Sequence, residues 1–410
     1  MSLRSYVFAA MVMAVAPHAS AQTAQVQAPA PIVGFQDGFF VQANADNRLL
    51  LGVIVQTDGR FSTDDPLPIT NTFAIRKARP IVAARIARYF DVRLMTEFGG
   101  GTATLLDAYF DVRFSPKFRV RSGKDKSPVG YELLQGDAFL LFPERSLASS
   151  LVPNRDVGIA AQGDLGVKVF YAGGVFNGIV DGTNSTADVD VNSGKDLAGR
   201  IVVQPFRTTA TPAGALNGFG FQVGGTTGTQ TGALPAFRTS VGQTYFSYAA
   251  GTAANGTRTR VTPAVFYYYK ALGVFGEYVR STQAVTRGLV TRDIRNDGWE
   301  VTGSYVLTGE AASDRGIRPR NVFDPPTGKW GAIQLAARYS ELDVDDAVFA
   351  AGFGAAGAAD AARQFTVGVN WYPVPYVKYY ATFERTGFEG GTAPSRPDEH
   401  VILFRVQLAF

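Results

Sequence analysis

From about residue 48 to the C-terminus, apolar and polar residues alternate in about sixteen segments. In "VILFRVQLAF", Ile402, Phe404, Val406, Leu408 and Phe410 fall on one parity, and Arg405 and Gln407 on the other. "VKYYATFE" sets Val377, Tyr379, Ala381 and Phe383 against Lys378, Tyr380, Thr382 and Glu384. "DAYFDVRF" sets Phe110 and Phe114 against Asp107, Asp111 and Arg113. Period-two alternation makes strands with one apolar and one polar face. The segments begin near residues 48, 72, 88, 106, 117, 156, 166, 197, 217, 259, 271, 297, 331, 364, 375 and 400. Short connections (87–89, 115–117, 163–166, 270–273, 372–375) take turns with long ones. The long ones are 62–71, 98–105, 124–155, 177–196, 226–258, 282–296, 342–363 and 387–399, and only 309–330 breaks the rule. That pattern predicts an all-β, up-and-down antiparallel barrel with tight turns at one end and long loops at the other.

Alternation alone does not say which face is wet. A soluble β protein buries the apolar face, whereas a membrane barrel turns it to lipid and keeps the polar face inside. The N-terminus argues for the second. "MSLRSYVFAAMVMAVAPHASAQ" has a basic start at Arg4, an apolar run and Ala19-Ser20-Ala21, the pattern of an export signal cut before Gln22. We therefore expect a signal peptide over 1–21, a flexible periplasmic leader over 22–47, and a transmembrane barrel over 48–410 in a bacterial outer membrane. Aromatic residues near segment ends, such as Tyr89-Phe90, Tyr267-Tyr268-Tyr269 and Trp371-Tyr372, fit an interfacial girdle. Forty-five glycines, 17 tyrosines and 30 phenylalanines suit many short strands and turns. No stretch is long and apolar enough for a spanning helix. The absence of cysteine excludes disulfides and thiolate metal sites. A net charge of +4 is too weak to argue for nucleic acid as a partner.

With the apolar parity on lipid, the opposite parity lines a pore. The expected anion path comprises Arg60, Arg76, Lys77, Arg93, Arg113, Arg119, Arg121, Lys124 and Lys126, with Lys168, Arg200, Arg260, Arg338, Lys378 and Arg405 also luminal. Luminal acids are fewer: Asp58, Asp91, Glu97, Asp107, Asp111, Glu300 and Glu384. Excess fixed positive charge favours anions; a mixed-charge wall giving a general diffusion pore is the alternative. In "IRKAR", Arg76, Lys77 and Arg79 cannot share one face unless a β-bulge interrupts the strand. Loop 124–155 carries Leu133, Leu134, Phe139, Leu140, Leu141 and Phe142, too many apolar residues for a solvated loop. It is expected to pack, either inside the barrel as a constriction or against a neighbouring subunit.

These stretches resemble the phosphate-selective porins O and P. "FAIRKARP" (73–80) is similar to that family's basic second-strand segment, and "SGKDKSPVGYELL" with "PERSLASSLVPNRDVGI" to its constriction-loop region. "YVLTGE" (305–310), "FTVGVNWYPVPYVKYYATFE" (365–384) and "VQLAF" match its C-terminal third. The resemblance implies a sixteen-stranded trimeric outer-membrane barrel for passive uptake of phosphate or polyphosphate. It places Arg76 and Lys77 on the family's paired basic residues, the second being lysine here. The family's arginine two residues before the first-strand glutamine is Ile54 in this chain, ahead of Gln56. That departure weakens the phosphate assignment and leaves the porin assignment intact.

A barrel hydrolase is the other class to weigh. Beyond the signal the chain has one histidine, His400, beside Asp398 and Glu399 with no evident nucleophile partner. "GFGFQVGG" around Gly218 and Gly220 reads as small residues in a strand, and "ELDVDD" (341–346) as an acidic surface loop. The expectation is a channel without catalytic residues, metal or cofactor, whose partners are small anionic or hydrophilic solutes, outer-membrane lipid and two further copies of the chain.

Overall fold

The computed structural model describes residues 32–63, 69–185, 190, 192–210, 214–391 and 396–410. The expected signal peptide lies outside the described residues. Among these residues twenty strands follow one another. A hairpin, β1 (Ile32–Phe35) and β2 (Phe39–Asn44), precedes the first barrel strand, β3 (Asn47–Ser62). Then come β4 (Thr72–Ile86), β5 (Phe90–Glu97), β6 (Thr104–Ser115), β7 (Phe118–Lys126), β8 (Arg155–Leu165), β9 (Val169–Phe176), β10 (Asp196–Val203) and β11 (Phe219–Gly232). A small pair, β12 (Phe237–Arg238) and β13 (Thr244–Phe246), lies in a loop. The barrel continues with β14 (Thr252–Tyr269), β15 (Leu272–Arg287), β16 (Val290–Val306), β17 (Ala332–Asp343), β18 (Ala361–Val374), β19 (Val377–Glu389) and β20 (Glu399–Ala409).

Each of the sixteen barrel strands pairs antiparallel with the next, and β20 returns to β3, from Val401↔Ser62 to Ala409↔Ile54. Closure leaves no barrel edge, which a sheet in lipid requires because hydrocarbon offers no substitute for strand hydrogen bonds. All sixteen segments read from alternation become barrel strands. The faces are arranged as expected for a membrane barrel. On β16, Val301 is 50% exposed while its neighbours Glu300 and Thr302 are each 1% exposed. On β20, Phe404, Val406 and Leu408 are exposed while Leu403, Arg405 and Gln407 are buried. Aromatic pairs mark both rims of the apolar band. Tyr267–Tyr269 and Trp371–Tyr379 stack near the tight turns. Phe61–Phe73 and Trp299–Tyr339 lie toward the long loops.

Two local expectations differ from the structure. Residues 282–296 form no long loop, because β15 and β16 run on and turn within two residues, Arg287 facing Val290. Their tips are rich in Thr and Arg, so the apolar signal fades where the strands leave the lipid, although the hydrogen-bonded ladder continues in water. Within the stretch read as a flexible leader, residues 32–44 form the β1–β2 hairpin. Its β2 extends the sheet beside β3, Phe39 facing Leu51 and Gln42 facing Arg48, just beyond the end of β20. Phe35 and Phe39 pack edge-to-face on Phe410, with ring centroids 5.4 and 5.7 Å away.

Candidate pore constriction

The connection from β7 to β8, residues 127–154, folds into the barrel. Polar side chains on the inner wall hold its backbone carbonyls. Lys378 donates to Leu140 (2.7 Å), Asn370 to Leu141 (2.9 Å), Gln407 to Ala138 (2.9 Å) and Arg338 to Glu144 (3.0 Å). Arg405 donates to Pro143. In the other direction Glu277 of β15 accepts the backbone N–H groups of Tyr131 (2.6 Å) and Glu132 (3.0 Å). An irregular backbone is tolerated at membrane depth only where such partners replace water. Toward the long-loop end, Leu133, Leu147 and Leu151 enter an apolar cluster with Phe237 and Phe246, and with Val348 of a short helix, α1 (Ala347–Ala350). The loop's apolar residues thus have a core of their own inside the barrel mouth.

Three carboxylates of the loop meet the basic wall. Glu144 accepts from Arg76 through both oxygens (2.7 and 3.0 Å), from Arg60 (3.1 Å) and from Arg405 (3.0 Å). Asp137 pairs with Lys77 (3.3 Å), with Arg145 of the loop (2.7 Å) and with Arg79. Glu132 pairs with Arg338 (3.1 Å) and accepts from Ser146 N–H (2.8 Å) and Ser149 Oγ (2.9 Å). Burial pushes the Glu144 carboxyl up, but Arg76 and Arg405 outweigh it, and the group is held well below the usual carboxylate range. Asp137 follows the same balance, with Lys77 and Arg145 overcoming burial.

Arg76, Lys77 and Arg79 all point inward because β4 carries a bulge. Gln56 faces Lys77 and the next residue, Thr57, faces Ile75, so Arg76 is the unpaired extra residue. Phe73 and Ile75 keep their outward parity before it, and Lys77 and Arg79 their inward parity after it. One inserted residue therefore supplies an additional inward guanidinium.

The remaining expected pore residues occupy the opposite wall. Arg93 pairs with Asp107 (3.1 Å), and Asp107 also takes Arg155 (2.7 Å). Arg113 pairs with Asp91 (3.3 Å), and Arg121 with Asp111 (2.7 Å) and Asp125. The Arg121 guanidinium also lies 3.6 Å from the Tyr109 ring centre. Arg119 enters no ion pair among the described residues, and its Nε is buried without a partner. Lys126 donates to the carbonyls of Leu133 (2.5 Å) and Gln135 (2.9 Å). Lys124 has the other parity of β7, is buried, and donates to the Ser185 carbonyl in the β9–β10 connection. The structure thus brings Arg60, Arg76 and Lys77 onto the loop, spreads Arg93, Arg113, Arg119 and Arg121 over β5–β7, and sets Lys124 apart from both groups. Sequence reasoning missed Glu132, Asp137 and Glu144 as partners; their signal was three acids within a loop rich in apolar residues. Ile54 faces inward in a small apolar cluster with Ile81, Met95 and Leu106. His400 stacks on Phe383 with ring centroids 6.2 Å apart, away from all of these groups.

The family model of the phosphate-selective porins O and P matches residues 54–410, nearly the whole barrel. The chain belongs to that family. It is a porin of the outer membrane, and its fold is shared by solved porins of low sequence identity. The anion-selective porin from Comamonas acidovorans superposes with a TM-score of 0.58 at 12% identity, covering 89% of this chain and 100% of that one. The outer membrane channel DcaP of Acinetobacter baumannii gives 0.58 at 11%, covering 90% and 98%. The trimer form of OmpT from Vibrio cholerae gives 0.52 at 12%, covering 89% and 99%. No curated protein matches the sequence of this porin.

Proposed function

We propose that this porin is a passive channel that prefers small anions, phosphate among them, and works as a homotrimer without catalysis. The observation that carries the reading is the charge left over after the constriction has formed. The loop carboxylates occupy Arg60, Arg76, Lys77, Arg79, Arg338 and Arg405. On the opposite wall Arg93, Arg113 and Arg121 keep aspartate partners. Arg119 and Arg200 have no carboxylate partner among the described residues, and Arg200 donates only to the Gln222 amide at 3.2 Å. These two guanidiniums place positive charge on the β7–β10 wall, where it raises the local anion concentration and repels cations. The anion-selective relative from Comamonas and the trimer form of OmpT support the reading through shared fold.

Reversal potential in a KCl gradient across a planar bilayer tests the preference. An anion-selective potential is expected, moving toward zero in Arg119→Gln; a cation-selective potential overturns the proposal. Phosphate added to the chloride solution is expected to lower the chloride current of a pore that takes phosphate. The His400→Ala variant should conduct like the wild type. Light scattering in detergent should return three times the protomer mass.

A further inference from the structure

Between the β7–β10 wall and the constriction loop lies a recess of about 160 Å³. Its charged rim is Arg121, Asp125, Lys126 and Arg200, and Gln162 completes the polar lining. The rest is apolar. Gly123, Gly158, Ala160 and Ala172 form a floor of small side chains, faced by Leu134 and Pro128 of the loop and closed at one end by Phe176. Glycine is required in that floor. A Cβ on Gly158 would lie 2.5 Å from the Phe176 ring, and Gly123 has φ +122°, a backbone that side chains disfavour. The sequence thus keeps the recess open, its surface about equally polar and apolar, beside a cluster of cations.

The charges set what fits. Arg121 is engaged by Asp111 at 2.7 Å and by Asp125. Lys126 is held by two loop carbonyls at 2.5 and 2.9 Å. Arg200 lies 4.9 Å from the Phe170 ring centre, gives one N–H to Gln222, and keeps a buried Nε with no partner. Arg121 is already met by Asp111 and Asp125, which leaves Arg200 as the rim guanidinium with no carboxylate partner among the described residues, and Asp125 opposes a second negative charge on a ligand. A buried guanidinium donor without an acceptor is costly until one arrives. A cavity of about 150 Å³ holds a benzene-sized body.

We propose that this recess binds a monoanionic carboxylate with a compact apolar body, its carboxylate on Arg200 and its body between the Gly/Ala floor and Leu134. This rests on the anion-channel reading and names a solute class for it; hydrogenphosphate, a dianion with no apolar part, fits the slot less well.

Benzoate is the probe and phosphate the comparison. In planar bilayers with KCl, benzoate is expected to reduce wild-type current with half-block at a concentration at least tenfold below that of phosphate. Arg200→Gln should raise the benzoate value at least fivefold, and Leu134→Ser should raise it while leaving the phosphate value in place. Equal block by the two anions, or unchanged benzoate block in Arg200→Gln, overturns the proposal. Saturation-transfer NMR on detergent-solubilised wild-type protein reads the site without conduction or variants, and absence of transfer from protein to benzoate overturns it as well. The two readings separate cleanly. A cation-selective KCl potential with Arg200-dependent benzoate binding removes only the anion preference. An anion-selective potential without benzoate binding removes only the site.

Discussion

At the scale of residues, the constriction is an electrostatic attachment made of few parts. Asp137 answers Lys77, Arg79 and Arg145, and all four groups are largely shielded from water. In Asp137→Asn these cations lose their common partner. Removing one member of a buried ion network costs about 3–5 kcal/mol. The loop should loosen, and single-channel current noise together with protease cleavage within 127–154 should both rise. The pH dependence has a definite sign. Asp137 and Glu144 have carboxyls held below their ordinary values. Their contribution is therefore complete above the unfolded carboxylate range and is lost as pH falls below about 4. Conductance should be steady from pH 8 to 5 and become noisy only under stronger acid. A transition centred near pH 6 in bilayer recordings would contradict this assignment.

At the scale of elements, the β4 bulge is the instructive feature. Alternation gives each strand residue one of two faces, so a run of basic residues like 76–79 must send some side chains to lipid unless the ladder skips one. The skip occurs at Arg76. Deleting Arg76 should restore a regular ladder without moving Phe73 or Ile75 off the outer face. The variant is expected to assemble as a barrel, seen as an unheated band shifted on denaturing gels, and to conduct more because Glu144 keeps only Arg60 and Arg405. Failure to assemble would mean that the bulge serves closure rather than the constriction. The β15–β16 hairpin teaches a complementary point. Its outer half is legible as strand only through pairing, since its outward side chains are polar while Val285 and Ile294 are buried on the inner face, so the usual parity of the faces is lost.

At the scale of the whole molecule, two closures cooperate. The ladder from Val401↔Ser62 to Ala409↔Ile54 seals the barrel. The β1–β2 hairpin then covers the chain end, where Phe410 meets Phe35 and Phe39 and exchanges backbone hydrogen bonds with Val53 (2.9 and 3.0 Å). Edge-to-face aromatic pairs contribute about 0.5–1.5 kcal/mol each beyond burial. Removing residues 32–44 while keeping the export signal should leave a closed barrel with a lower temperature for the gel shift. An unchanged temperature would deny the hairpin any stabilising part. The barrel is also uneven inside. The loop's carboxylates are fastened to β3, β4, β17 and β20, while the recess and Arg119 and Arg200, which have no carboxylate partner among the described residues, fall on the β7–β10 side.

The sequence by itself determined the sixteen barrel strands, the tight turns at 87–89, 115–117, 163–166, 270–273 and 372–375, which parity faces lipid, and the need for a bulge within residues 75–79. These follow from local periodicity, because each residue on a strand has only two directions to point. Only the tertiary structure decided which cations remain available to a solute. Arg76 and Arg119 are alike in sequence terms, each inward and basic. One is bound through both guanidinium arms to Glu144 and the other has no acidic partner among the described residues. The difference arises from a loop whose acids lie some sixty-eight positions along the chain from the strand they neutralise. Pairings of that kind are set by the path of the loop through the barrel, and periodicity carries no record of that path.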